Sequence, residues 1–270
     1  MLPIGDVTPT SRRAVVLWSL TLANLAVFLL VQLPLEGCAE LQLIYRYAAI
    51  PRELTTFAPL SPSELESLLG ECAAGAPAKN VPLSLVTSLF LHGGIGHLFG
   101  NLLYLVVFGN NVEDRLGHIR FVLFYATGGV AATLAYTALQ PDSIVPMIGA
   151  SGAIAAVLGA YLILHPRARI LTVVPFPLYL LALILPGIRL MRWLVFFALV
   201  TMPAWLLLGA WFVLQFNASQ TPTSDQVAYE AHVAGFVAGI VLLVVLDSWR
   251  SRHGRTPFHE PRRRGRPPLA

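Results

Sequence analysis

Residues 149–164 have the sequence GASGAIAAVLGAYLIL, without a single charged side chain. A transmembrane helix needs about 20 apolar residues to cross the hydrocarbon core of a bilayer. A run that is shorter than this and rich in glycine and alanine is suited to close packing against other helices. We therefore expect this segment to be a helix in the interior of a membrane bundle.

The composition of the whole chain also indicates a membrane protein. Of its 270 residues, 56% are hydrophobic and only 12% are charged, which lies outside the range of a soluble globular domain. The apolar segments predict six spans, at 14–34, 97–112, 119–139, 149–164, 193–216 and 230–247. The predicted fold is an all-α, polytopic membrane helix bundle with six transmembrane helices.

Arginine residues predict the orientation of the bundle. With six spans, one side of the membrane carries Arg12, Arg13, Arg115, Arg120, Arg167, Arg169 and the tail from Arg250. Because positive residues favour the cytoplasmic side, we predict a multi-pass protein of the cell membrane with both termini in the cytoplasm. Its parts are a cytoplasmic N-terminus (1–13), a six-span membrane domain (14–250) and a basic, disordered tail (251–270). The basic ends are suited to the anionic lipid of the bilayer, and no nucleic-acid partner is predicted.

Two segments of the predicted membrane domain are not ordinary spans. Residues 170–192 include an apolar run at 178–188, which as a helix rises only about 16 Å, roughly half of the hydrocarbon thickness. We predict a re-entrant or interfacial segment there, on the cytoplasmic side. The long segment 35–96 is predicted to be an external loop. It contains Cys38 and Cys72, which are candidates for a disulfide because a loop outside the cytoplasm permits one.

Polar side chains are rare inside the predicted spans and therefore informative. The ones that stand out lie in the second, fourth and sixth spans and are His97, Asn101, Ser151 and His232. Such residues are costly in a membrane and indicate a functional site. Spans two, four and six all run from outside to inside. Counted from the cytoplasmic end of each helix, His97, Ser151 and His232 all lie about 21–24 Å above the inner boundary.

A serine and histidines at one depth match the needs of acyl transfer, which uses a nucleophile, a general base and donors for an oxyanion. His97 and Asn101 are four residues apart, so they share a helical face. The structural alternative is that small-residue patterns such as 149–152 and 235–239 serve only to pack membrane helices. The common depth and common side of the polar groups favour the catalytic interpretation.

Four motifs in sequence order resemble those of the rhomboid proteases, and the resemblance covers about residues 85–250. They are HGGIGHLFGN (92–101), EDR (113–115), GASG (149–152) and AHVAGFVAG (231–239). The resemblance implies a six-helix core that uses no metal and no cofactor. It further implies a serine endopeptidase whose dyad consists of Ser151 as nucleophile and His232 as base.

The resemblance also implies the remaining site residues and the partners. His97, Asn101 and the Ser151 amide would hold the oxyanion, with His92 and Gly149 beside the site. Substrates would be single-span or multi-span membrane proteins, cleaved near the outer end of a transmembrane helix. One departure is Ala155, where many members have a tyrosine that stacks on the base, so another group must orient His232. A Trp-Arg pair that often precedes the first site histidine is also absent.

A non-catalytic rhomboid-like protein that binds membrane helices is the alternative function. The presence of both Ser151 and His232 argues against it, because either residue could be lost without harm to packing. A zinc protease is excluded by the lack of a His-Glu-x-x-His motif.

The six-span topology predicts where an engineered cysteine can be labelled. In a chain carrying Cys38→Ser and Cys72→Ser, Ala270→Cys should react with a membrane-impermeant maleimide only after the cells are opened. The control is Ser224→Cys, in the predicted external loop 217–225, which should react in intact cells. Labelling of Ala270→Cys in intact cells, with Ser224→Cys unlabelled, would reverse the orientation of the tail.

Overall fold

The computed structural model describes residues 2–177, 195–220, 227–253, 256 and 258. This part of the chain is mostly helical. Its ten α-helices are α1 (Val15–Ala26), α2 (Cys38–Tyr47), α3 (Pro51–Thr56), α4 (Pro62–Leu69), α5 (Val81–Thr87), α6 (Ile95–Leu116), α7 (His118–Leu139), α8 (Ser151–Leu164), α9 (Ala204–Ser219) and α10 (Tyr229–Arg252). Its strands are β1 (Leu2–Asp6), β2 (Arg169–Pro177) and β3 (Val195–Pro203).

Four of the described helical segments are long and apolar enough to cross a membrane. They are Val15–Gln32, which joins α1 to a π-helical continuation, and the helices α6, α7 and α10. These are the first, second, third and sixth predicted spans. The helices at the fourth and fifth positions, α8 and α9, are apolar but have only 14 and 16 residues. The protein is a multi-pass membrane protein, and the predicted count of six full spans is not confirmed.

The all-α prediction is wrong in one respect, because the described chain contains a three-stranded antiparallel sheet in the order β1-β2-β3. β2 occupies the first part of the predicted re-entrant segment 170–192, and β3 occupies the first part of the predicted span 193–216. Both strands are short apolar runs, which periodicity cannot distinguish from buried helix. The remainder of the predicted re-entrant segment, and most of the predicted disordered tail 251–270, lie outside the described residues.

Helix α8 lies at the centre of the bundle, as its length and small residues predict. All its residues from Gly152 to Tyr161 are buried, and it packs against α6, α7 and α10. Glycine permits the closest of these contacts. A Cβ added at Gly239 of α10 would lie 2.0 Å from the carbonyl oxygen of Ala156, and one at Gly235 would lie 2.4 Å from that of Gly152. The backbones of α8 and α10 are therefore in direct contact.

The helical segment Val15–Gln32 is fastened at both of its ends, at its start to α6 and at its far end to the residues that precede α6. At its start, the Glu113 carboxylate accepts hydrogen bonds from the backbone amides of Val16 (2.9 Å) and Leu17 (2.7 Å). These amides have no partner within the helix, so a buried carboxylate stabilises them as a cap. At the far end, the Gln32 side chain bonds both the backbone N–H and the carbonyl of His92, at 2.9 Å each.

The predicted external loop 35–96 is a small folded unit that contains α2 to α5. The structure joins Cys38 at the start of α2 to Cys72, which follows α4, by a disulfide. An apolar cluster packs beneath this bond, with Tyr45 among its buried members. We call this part of the chain the outer unit.

A buried ion pair lies within the outer unit. The Lys79 amine and the Glu53 carboxylate are paired, and both side chains are fully buried. Burial lowers the pKa of the Lys79 amine, and the adjacent Glu53 carboxylate opposes that shift. The amine also lies 4.9 Å from the centre of the Tyr45 ring. These contacts tie the chain after α4 to α2 and α3.

The contact between α8 and α10 predicts the effect of a single methyl group. Gly239→Ala should lower the free energy of unfolding by about 1–3 kcal/mol, because the new Cβ would overlap the Ala156 carbonyl and force the helices apart. The matched control is Gly209→Ala in α9, where an added Cβ meets no atom within 4 Å. Its stability should be unchanged or slightly raised. Thermal unfolding of the detergent-solubilised variants measures both, and equal stability of Gly239→Ala and wild type would contradict the assigned contact.

Candidate active site

Ser151 and His232 are in direct contact at one end of the bundle. Ser151 is the first residue of α8, and His232 lies in the first turn of α10. The Ser151 hydroxyl oxygen lies 2.9 Å from Nε2 of His232. Gly152 follows the serine and Gly235 lies one turn beyond the histidine, so the backbone contact between these glycines holds the two side chains within reach. A hydrogen bond between a serine hydroxyl and an imidazole nitrogen can activate the hydroxyl as a nucleophile.

The other ring nitrogen of His232 contacts a residue that sequence reasoning missed. Nδ1 of His232 lies 2.7 Å from the side-chain oxygen Oε1 of Gln215, in α9. An amide oxygen accepts, so Nδ1 carries the proton and donates it to Gln215. The Trp211 ring, one turn earlier in α9, lies 6.3 Å from the His232 ring at an angle of 33°. The sequence offered only a weak signal, in that Gln215 is the first polar residue after the apolar run 204–214.

His97 and Asn101 converge on Gly149, two residues before the serine. A Cβ added at Gly149 would lie 2.8 Å from Nε2 of His97 and 3.5 Å from the amide nitrogen of Asn101, and the φ of this glycine is +115°. Nδ1 of His97 accepts a hydrogen bond of 3.3 Å from the Gly93 amide, which leaves Nε2 as the donor. The Asn101 amide nitrogen is buried and has no hydrogen-bond partner among the described residues. Both side chains therefore offer N–H groups close to the loop that carries Ser151.

His92 lies next to His97 but does not contact the serine–histidine pair. It is almost fully buried, with its ring set edge-on to the His97 ring at 5.2 Å between centres. Neither ring nitrogen has a hydrogen-bond partner among the described residues. Its backbone is held by Gln32, so His92 links α1 to the start of α6.

The outer unit positions the loop that leads into Ser151. The Gly149 amide donates to the carbonyl of Ser88 at 2.9 Å. Two residues earlier, Met147 exchanges backbone hydrogen bonds with Ala49, at 2.7 and 3.2 Å. The start of α8 is therefore fixed from the outside as well as by its packing inside the bundle.

A cavity of about 890 Å³ lies over these side chains. It is lined by Ser151, His232, His97, Asn101 and Gln215, and small residues such as Gly96 and Gly100 widen it. Leu41, Ile44 and Leu68 of the outer unit form part of its wall. None of its lining residues in the described part of the chain is an aspartate, glutamate, lysine or arginine. The cavity suits an uncharged segment of polypeptide.

Comparison with known proteins gives a match over most of the chain. A family model described as "Rhomboid domain" matches residues 79–249. RHOMBOID-like protein 6, mitochondrial, of Arabidopsis thaliana is 28% identical over 153 residues, which cover 53% of this chain and 49% of that protein. Rhomboid protein 1, mitochondrial, of Saccharomyces cerevisiae is 33% identical over 163 residues, which cover 59% of this chain and 40% of that protein.

A bacterial relative also matches the chain. Rhomboid protease GluP of Bacillus subtilis is 42% identical over 78 residues, which cover 29% of this chain and 15% of that protein. The chain thus spans less than half the length of each of these three relatives.

Proposed function

Since the chain belongs to the rhomboid family, we propose that it is an intramembrane serine endopeptidase, which hydrolyses peptide bonds in or near the transmembrane helices of membrane proteins. The observation that carries this proposal is the 2.9 Å contact between the Ser151 hydroxyl and Nε2 of His232, inside a cavity large enough for polypeptide. The name of the Bacillus relative, a rhomboid protease, adds support.

The proposed reaction uses Ser151 as nucleophile and His232 as general base. Nε2 takes the proton of the hydroxyl while Oγ bonds the carbonyl carbon of the peptide. The same nitrogen then gives the proton to the amine, which departs as the peptide C–N bond breaks. An acyl-enzyme remains, and water hydrolyses it. The position of Ser151 at the N-terminus of α8 assists, because backbone amides there favour negative charge.

His97, Asn101 and the Ser151 amide are the proposed donors to the oxyanion. Nε2 of His97 and the Asn101 amide both approach Gly149, next to the nucleophile. Donors fixed before the reaction stabilise the developing charge at little reorganisation cost. Gly149 has the role of keeping this space free, since any side chain would contact His97. His92 supports the site from behind His97.

The surroundings of the site suggest the class of substrate and the location of the protein in the cell. The cavity lies at the end of the bundle where α6, α8 and α10 begin, and its described lining carries no charged residue. Both features fit an uncharged stretch near the outer end of a substrate helix, once that stretch has unwound. We assign the protein to the cell membrane, with both termini in the cytoplasm.

The dyad predicts complete loss of activity on loss of either member. Ser151→Ala and His232→Ala should each abolish cleavage of a panel of single-span membrane proteins, with near-normal expression and thermal unfolding, because both truncate a side chain in a packed bundle. Ser19→Ala, which removes an exposed hydroxyl of α1, should keep wild-type activity. Cleavage by Ser151→Ala at the wild-type rate would refute the dyad. A wild-type protein that binds the panel without cleaving it would favour the non-catalytic alternative.

The assignment of Asn101 predicts a partial loss. Asn101→Ala should lower kcat by about 10- to 1,000-fold without altering the preference among substrates, because it removes one donor to the oxyanion. The control Phe99→Leu changes an exposed residue of the same helix and should retain activity. Steady-state kinetics measure both variants, and an unchanged kcat for Asn101→Ala would remove this side chain from the oxyanion site.

A further inference from the structure

We propose that Gln215 is a positioning residue for the base, holding the His232 ring in the orientation and the tautomer that catalysis needs. The inference rests on the proposed protease function and extends it to a residue on a third helix. Ser151, His232 and Gln215 then form a chain of two hydrogen bonds whose members come from α8, α10 and α9.

The two hydrogen bonds of the His232 ring carry this inference. Nε2 lies 2.9 Å from the Ser151 hydroxyl, and Nδ1 lies 2.7 Å from Oε1 of Gln215. A neutral imidazole has one N–H and one lone pair, and the acceptor at Gln215 places the hydrogen on Nδ1. The lone pair on Nε2 then faces the hydroxyl. The opposite tautomer would donate to Ser151 and could not remove its proton.

The role of Gln215 in the reaction is to keep one proton in place. As Oγ bonds the substrate carbonyl carbon, its proton moves to Nε2, and the imidazole becomes positively charged. Nδ1 retains its own hydrogen and continues to donate to Oε1 of Gln215. The amide is neither protonated nor consumed, so it acts only through His232.

The packing of α9 fixes the direction of the Gln215 side chain. Trp211 and Phe212 both stack on Phe236 of α10, with ring centres 5.9 and 5.0 Å apart. Residues 211 and 215 are four apart and share a face, so these contacts turn Gln215 toward His232. The neighbouring Leu214 is 67% exposed and points away from the bundle.

A neutral amide suits this position better than the carboxylate of many soluble serine hydrolases. An unpaired charge inside a membrane bundle is costly, whereas an amide oxygen supplies an acceptor without charge. The position four residues after the nucleophile is occupied by Ala155, which is fully buried against the α10 backbone and cannot contact a ring nitrogen. The support for His232 therefore comes from α9.

The test compares four variants with wild type and with Ser151→Ala, in detergent or in liposomes. Gln215→Leu and Gln215→Met both remove the hydrogen-bond acceptor and keep a side chain of similar size. Gln215→Glu keeps an oxygen at the same distance from the backbone. Leu214→Ala is the matched control. Two assays are used: steady-state kinetics, which give kcat and KM for a single-span substrate, and the rate at which a fluorophosphonate labels Ser151. Thermal unfolding establishes that each variant is folded, and Gln215→Met takes the place of Gln215→Leu if the latter does not fold.

The expected result is a loss of turnover with substrate binding intact. Gln215→Leu should lower kcat and the labelling rate by about 10- to 100-fold, with KM within about twofold of wild type. Gln215→Glu should recover most of this loss, and Leu214→Ala should match wild type. Wild-type kcat and labelling in Gln215→Leu, or a loss confined to KM, would overturn the positioning role while Ser151→Ala stays inactive. Equal behaviour of wild type and Ser151→Ala would instead reject the protease function itself.

Discussion

The contact between the backbones of α8 and α10 is the constraint on which the site depends. Apolar side chains gain little by leaving lipid for another apolar surface, so membrane helices associate through close packing of small residues. At Gly235 and Gly239 the α10 backbone meets carbonyl groups of α8 with no side chain between them. Ser151 and His232 lie at the near end of this contact. The distance between their side chains is therefore set by direct contact of the two helix backbones. Such a contact leaves less freedom in the helix separation than one made by flexible side chains.

Helix α9 is held in a different way, and the difference has a functional meaning. Its contacts with α10 are made by the rings of Trp211 and Phe212, and residues on its other face, such as Val213 and Leu214, are exposed. The bundle thus combines two helices in backbone contact, which carry the proposed nucleophile and base, with a helix held by aromatic side chains, which carries the group proposed to orient the base.

The sequence predicted the membrane character of the chain, and singled out two residues that the structure brings into contact, better than it predicted the region around α9. Ser151 and His232 are polar residues in apolar spans, where each is costly enough to be conspicuous. Gln215 lies near the end of the predicted span 193–216, where a polar residue is unremarkable. The segment 195–203 is a strand, so α9 begins only at Ala204 and continues to Ser219, which places Gln215 a full turn inside it. A run of nine residues that are apolar except for Thr201 fits strand and helix alike, and only its pairing with β2 decides between them.

The hydrogen bonds between Met147 and Ala49 couple the outer unit to the loop that leads into Ser151, and so to the proposed catalytic site. The helices of the bundle are predicted to lie in lipid and the outer unit in water, where it is held by one disulfide, one buried ion pair and a modest apolar cluster. Local opening draws on the least stable unit of a protein first. We therefore expect reductant or mild denaturant to act on the loop that leads into Ser151 before it disturbs the transmembrane helices. Loss of the proposed activity and global unfolding would then be two separate events, the first governed by the outer unit and the second by the bundle.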